Sequence, residues 1–205
     1  EGTLPASFAS LNLGLSFTTQ RRRALQQVQS RLGASVSLNY NAALGDQLGQ
    51  RFLLRSALLL PGLFPNHGLR LELDYQRQPA GNLYQYTDVF RYARGYAAPI
   101  SDQVYRFGVN YQLPLLYPDF GIAGIVYFQR VRLNAFYDYS RYQIDQFRNF
   151  SFRETAVGGE VFFDNVWLNV QALTIGFQFA YRLDRDLFSR DSNDLQVGLL
   201  LGTLF

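Results

Sequence analysis

Along much of this chain apolar and polar residues alternate one by one. In residues 69–76, Leu69, Leu71, Leu73 and Tyr75 fall on one side while Arg70, Glu72, Asp74 and Gln76 fall on the other. Only an extended strand, with its period of two, sorts those residues into separate faces. Tyr105, Phe107, Val109, Tyr111 and Leu113 repeat the pattern against Arg106, Gly108, Asn110 and Gln112. Val131, Leu133, Ala135, Tyr137 and Tyr139 repeat it against Arg132, Asn134 and Asp138, and Leu173, Ile175, Phe177, Phe179 and Tyr181 against Thr174, Gly176, Gln178 and Arg182. The last stretch, 194–205, alternates through Leu195, Val197, Leu199 and Leu201. Weaker alternation predicts further strands over 8–18, 31–42, 50–60 and 153–163, nine in all.

The clearer runs are close to the roughly 9 to 11 residues that a tilted strand needs to cross a bilayer. Aromatic residues make up 16% of the chain, with 14 Tyr, 18 Phe and a single Trp, which suits the aromatic girdles of a membrane barrel. Mean hydropathy is near neutral, and the apolar runs fall short of the roughly 18 residues of a membrane-spanning helix. The expected fold is therefore all-β, an antiparallel transmembrane β-barrel of about 8–10 strands. A soluble β-sandwich is the competing architecture. Leu201, Thr203 and Phe205 form the expected C-terminal assembly signal, the terminal aromatic closing the last strand at the periplasmic interface.

Counting back from a periplasmic Phe205 sorts the connections. Segments 43–49, 79–102, 141–152 and 184–193 fall outside, whereas 19–30, 61–67, 114–129 and 164–171 fall in the periplasm. Nine is an odd number, and single-chain bacterial barrels have an even one. The expectation is that residues 1–205 form one module, the C-terminal portion of a longer barrel; the alternative leaves 8–18 out of the membrane and gives eight strands. The connection 114–129 contains Pro114, Pro118 and the apolar stretch from Phe120 to Phe128. It reads either as an interfacial or docking surface or as an extension of strand 130–140.

Side-chain chemistry argues against catalysis. The chain has no Cys and one His, so thiolate chemistry and thiolate metal sites are excluded. His67 lies in the PGLFPNHG turn, where a structural role is expected. Asp184, Asp186, Asp191 and Asp194 are the residual candidates for a carboxylate calcium site, with a solvated loop the simpler reading. The formal net charge is +3 and all 19 basic residues are Arg, clustered only at Arg21, Arg22 and Arg23. No basic stripe for nucleic acid is present. The chain is expected to be neither an enzyme nor a cofactor carrier.

More informative are the charges that alternation turns inward: Arg51, Arg55, Arg70, Glu72, Asp74, Arg106, Arg132, Asp138, Glu154, Glu160 and Arg182. A charge facing lipid at the midplane costs roughly 2–4 kcal/mol, so these residues are assigned to the lumen. Their mixed signs fit either a weakly selective passage or ion pairs bracing a narrow or plugged interior. A hairpin turning through 61–67 brings Arg55 beside Asp74.

The segments LLLPGLFPNHGLRLELDYQ, ARGYAAP, YQLPLLYPDFGIAGIVYFQRVRLNAFYDYS and AVGGEVFFD resemble the C-terminal barrel of large Bacteroidota outer-membrane proteins that carry a TolB-like β-propeller. Arg94, Gly95 and Tyr96, ahead of the closing predicted strands, are similar to the external-loop motif of the bacterial surface antigen superfamily of assembly factors and translocators. That second resemblance implies a loop folded into the lumen. Together the resemblances imply residence in the bacterial outer membrane as an anchoring or transport module. The implied surroundings are outer-membrane lipid and lipopolysaccharide, the barrel assembly machinery, and a further N-terminal domain or other envelope protein.

Overall fold

The computed structural model describes residues 8–24, 26–45, 49–79, 82, 86, 90–97, 99, 101–144, 150–168, 170–187 and 193–203. They form ten strands: β1 Phe8–Gln20, β2 Gly33–Gly45, β3 Gly49–Pro61, β4 Gly68–Arg77, β5 Gln103–Leu116, β6 Phe120–Ile122, β7 Val126–Ile144, β8 Phe150–Trp167, β9 Gln171–Arg182 and β10 Leu195–Thr203. Each long strand pairs antiparallel with the next, in the order β1-β2-β3-β4-β5-β7-β8-β9-β10. The nine long strands are those the alternation predicts. The tenth, β6, pairs with the start of β7, so the 114–129 connection is largely a continuation of the sheet: β5 runs on to Leu116 and β7 begins at Val126. A register shift falls between Pro114 and Leu116, where proline cannot donate to the ladder.

The described strands do not close into a barrel; β1 and β10 each pair on one side only. Nine antiparallel strands in series leave the first and last running the same way. A direct β1–β10 seam would have to be parallel, unlike every other pair in the sheet.

Register sorts the sheet into two unlike faces. On one, β4, β5, β7, β8 and β9 present Leu71, Val109, Tyr137, Val157 and Tyr181 in one row. The next row holds Leu69, Tyr111, Ala135, Gly159 and Phe179. Charge returns to this face in the row of Tyr75 and Tyr105, at Arg141 and Arg153, and one row beyond it, at Arg77. The apolar side chains on this face are open to solvent: Leu15 is 70% exposed, Leu199 61% and Tyr105 50%. The opposite face holds the buried polar groups, among them Glu72, Asp74, Arg106, Asn134, Asp138, Glu160 and Asp164. This inverts the usual soluble arrangement, in which the apolar face of a sheet is the covered one.

Two connections cover the polar face. Residues 90–97 lie across its middle, where Phe90 and Tyr92 pack with Leu53, Val104, Tyr142 and Phe152. Residues 21–30 lie across the end nearer the 61–67 turn. Gln29 Nε2 donates to the Leu69 carbonyl at 2.9 Å, the Val28 N–H to the Asn66 carbonyl, and Arg130 to the Gln27 carbonyl. Tyr117 donates to the Gln26 carbonyl. This strap therefore spans from the β3–β4 turn to β7.

Candidate functional site: the ion-paired face and its docked loop

Consecutive strands build the site by stacking inward residues in rows. Asp74, Arg106, Ser140 and Glu154 form one row, Glu72, Gly108, Asp138, Ala156 and Arg182 the next, and Arg70, Asn110, Phe136, Gly158 and Ala180 the third. Opposite charges on neighbouring strands then meet. Arg106 Nη1 donates to Glu72 at 2.9 Å and to Asp74 at 3.1 Å, and its Nη2 donates to Asp138 at 2.8 Å. Arg70 Nε lies 2.8 Å from Glu72.

The docked loop completes the network. Arg91 reaches Glu72 at 2.5 Å and Asp74 at 3.2 Å. Arg94 donates to Asp138 through Nε at 2.6 Å, Nη2 at 3.0 Å and its backbone N–H at 3.2 Å. Its Nη1 reaches Glu160 at 3.0 Å and its Nη2 reaches Asn110 at 2.8 Å. The guanidinium also lies 3.6 Å from the centroid of Phe136, in cation–π contact with a desolvated ring.

Gly95 has φ +87°, and a Cβ there would stand 3.1 Å from Ala180 Cβ on β9 and 3.6 Å from Gln196 Cβ on β10. Residue 95 must therefore be conformationally permissive and small. The Tyr96 hydroxyl lies 2.8 Å from the carbonyls of Thr155 and Asp184 and accepts the Asp184 N–H at 3.0 Å. Burial raises this hydroxyl above its ordinary pKa, keeping its proton in place. The run from Arg91 to Gly95 thus touches β4 at one end and β10 at the other.

All eleven inward-assigned charges lie on this face, but their pairing differs from the sequence expectation in places. Arg55 stands opposite Asp74 in register, yet Arg91 and Arg106 hold that carboxylate. Arg51 instead donates to Asn41 and lies over Tyr86. Arg132 reaches Asp164 through Nε at 3.2 Å, and Arg182 pairs with Asp186 at 2.8 Å. Glu154 is buried opposite Ser140. Leu201 lies on the exposed apolar face, Thr203 ends β10 opposite Leu173, and Phe205 falls outside the described residues. His67 packs in its turn, with Nδ1 2.9 Å from the Tyr111 hydroxyl.

Sequence reasoning missed Arg91, Arg130 and Asp164. Asp164 is completely buried and receives Arg130 at 2.6 Å, Arg132 and the Thr174 hydroxyl. Asp184 pairs with Arg153 and Asp186 with Arg182, while Asp191 lies outside the described residues. Among the described residues no group of three or more His, Asp or Glu side chains is placed to hold a metal ion. No family model matches the chain, and no curated protein or solved structure is similar to it.

Proposed function

We propose that this chain is the membrane-embedded module of a bacterial outer-membrane β-barrel protein, serving as an anchoring or transport element of a larger envelope assembly. One observation carries the reading: the sheet exposes a charge-free apolar band bounded by tyrosines and arginines, and covers its ion pairs. Water would favour the reverse arrangement, whereas lipid favours this one. An antiparallel closure between β1 and β10 needs an odd number of additional strands, so the module belongs to a larger barrel. In this reading the covered face is its lumen wall.

A second reading within this class is a surface-antigen-type translocator or insertase, and the docking of Arg94 on Asp138 and Glu160 favours it. The same loop counts against a small diffusion pore, because residues 90–97 lie across the face such a pore would need open. The test is purification of the complete protein from membranes. The expected result is extraction only with detergent and a β-rich fold with heat-modifiable migration. Stable, monodisperse behaviour in buffer without amphiphile would sink the membrane reading. For the second reading, Arg94→Ala should impair translocation or insertion far more than folding.

A further inference from the structure

Three side chains on adjacent strands, Arg70, Gln112 and Arg132, keep donors outside the ion-pair network and border one cavity. Arg70 on β4 uses only Nε, against Glu72. Arg132 on β7 uses only Nε, against Asp164, with its guanidinium 4.1 Å from the Phe162 centroid. Gln112 on β5 stands between them, opposite Gly68 on one side and Asn134 on the other. All three residues line a cavity of about 370 Å³ that Tyr92 and Arg94 of the docked loop also border. Arg91, Arg94 and Arg106 also border it beside Glu72 and Glu160; these three are further held by Asp74 and Asp138, and Arg132 by Asp164, leaving the terminal N–H groups of Arg70 and Arg132 unused.

We propose that this chamber is a binding site for a small oxyanion ligand carrying two phosphate groups, gripped by Arg70 and Arg132 with Gln112 donating between them. The planar guanidinium fork matches a phosphate edge with two parallel hydrogen bonds. The register places Arg70 and Arg132 two strands and two rows apart, a spacing that suits two anionic groups better than one. The volume is within the range of small-ligand pockets. The proposal rests on the reading that this face is a water-accessible lumen wall.

Pyrophosphate titrated calorimetrically into the complete, detergent-purified protein at low salt is the test. Arg70→Gln leaves Glu72 held by Arg91 and Arg106, and Arg132→Gln leaves Asp164 held by Arg130, so neither change strands a buried carboxylate. The expected result is saturable binding that each variant weakens about tenfold or more, the scale of a lost charged hydrogen bond. Arg153→Gln, the same charge change at an exposed rim position, should leave binding unaltered. Absence of saturable binding, or equal weakening by all three variants, overturns the site. If cardiolipin, a lipid with two phosphate groups, displaces pyrophosphate when added to the micelle, the diphosphate chemistry is met by lipid headgroups; if it does not, a soluble ligand is the source.

The membrane reading is checked separately by single cysteines in this Cys-free chain. In proteoliposomes, Gln112→Cys should react with a water-soluble maleimide while Leu199→Cys is protected. Protection at 199 with no pyrophosphate binding rejects the site alone. Equal labelling at both positions rejects the reading beneath it.

Discussion

Arg94 and Asp138 are 44 residues apart in sequence and joined by three hydrogen bonds, two from the guanidinium and one from the backbone N–H of Arg94. The Asp138 side chain is fully buried and also receives Arg106. Neutralising Asp138 leaves Arg94 with Glu160 and Arg106 with Glu72 and Asp74, so the loss is that of charged hydrogen bonds, about 1.5–3 kcal/mol. Asp138→Asn should therefore lower the unfolding midpoint in detergent and release residues 90–97 to proteolysis. Arg94→Lys should rescue little, because a single ammonium cannot stack on Phe136 while forking to Asp138, Glu160 and Asn110. Rescue by lysine to wild-type stability would mean that charge alone holds the loop.

Gly158 sits beneath that contact. A Cβ at this position would meet the Phe179 backbone carbonyl at 2.1 Å and the Phe136 ring at 2.6 Å, and Phe136 is the ring that Arg94 lies on. Gly158→Val should both strain the β8–β9 ladder and tilt Phe136, giving a loss of loop protection at least as large as that of Arg94→Ala. In a double variant the two losses should fall short of additive, since they share one contact. Fully additive losses would show that the ring is not the link.

How much of this was legible from the sequence depended on what kind of contact was being read. The inward direction of Glu72, Asp74, Arg106 and Asp138 followed from alternation, because period two leaves a strand residue only two faces. Partners were harder. Arg55 and Asp74 do face each other in register, but nothing local to the hairpin reveals that Arg91 will arrive from the loop and take the carboxylate. Asp164 lay one residue past the expected end of its strand; β8 runs on to Trp167, and extending the even-numbered series 154, 160 would have found it. Arg130 shares the parity of Arg132 and stands opposite Asp164 in register, so carrying the series 138, 134, 132 back one step would have found it. The strap at 21–30 has no periodicity at all, and its backbone contacts with Gln29 and Arg130 are set by tertiary structure.

Tyr96 offers a milder perturbation of the same loop. Tyr96→Phe removes a hydroxyl shared by the Thr155 carbonyl and the Asp184 backbone, at a cost of about 1 kcal/mol. Because burial raises this hydroxyl above its ordinary value, its contribution is fully present below the ordinary tyrosine pKa and is lost only as pH climbs through the raised one. Loop protection in the wild type should thus be flat across neutral pH and fall in strong alkali earlier than the strands unfold. Tyr96→Phe should lack that alkaline step; the same step in the variant would assign it to another group.

The strap makes the last prediction. It is held by three side chains: Gln29 reaches out to the carbonyl of Leu69, while Arg130 and Tyr117 reach in to those of Gln27 and Gln26. Gln29 also packs against Gly68, where a Cβ would collide with its side chain. Gly68→Ala should therefore displace Gln29 without removing any hydrogen-bonding group, and Gln29→Ala should remove the bond without crowding. Both should raise hydrogen exchange at Val28, whose N–H bonds to the Asn66 carbonyl, because local opening needs only these few contacts to break. Neither should alter exchange in β7 or β8, whose ladders do not depend on the strap. Exchange rising across the whole sheet would instead make residues 21–30 part of the cooperative fold, and the strap could not then open independently of the wall it covers.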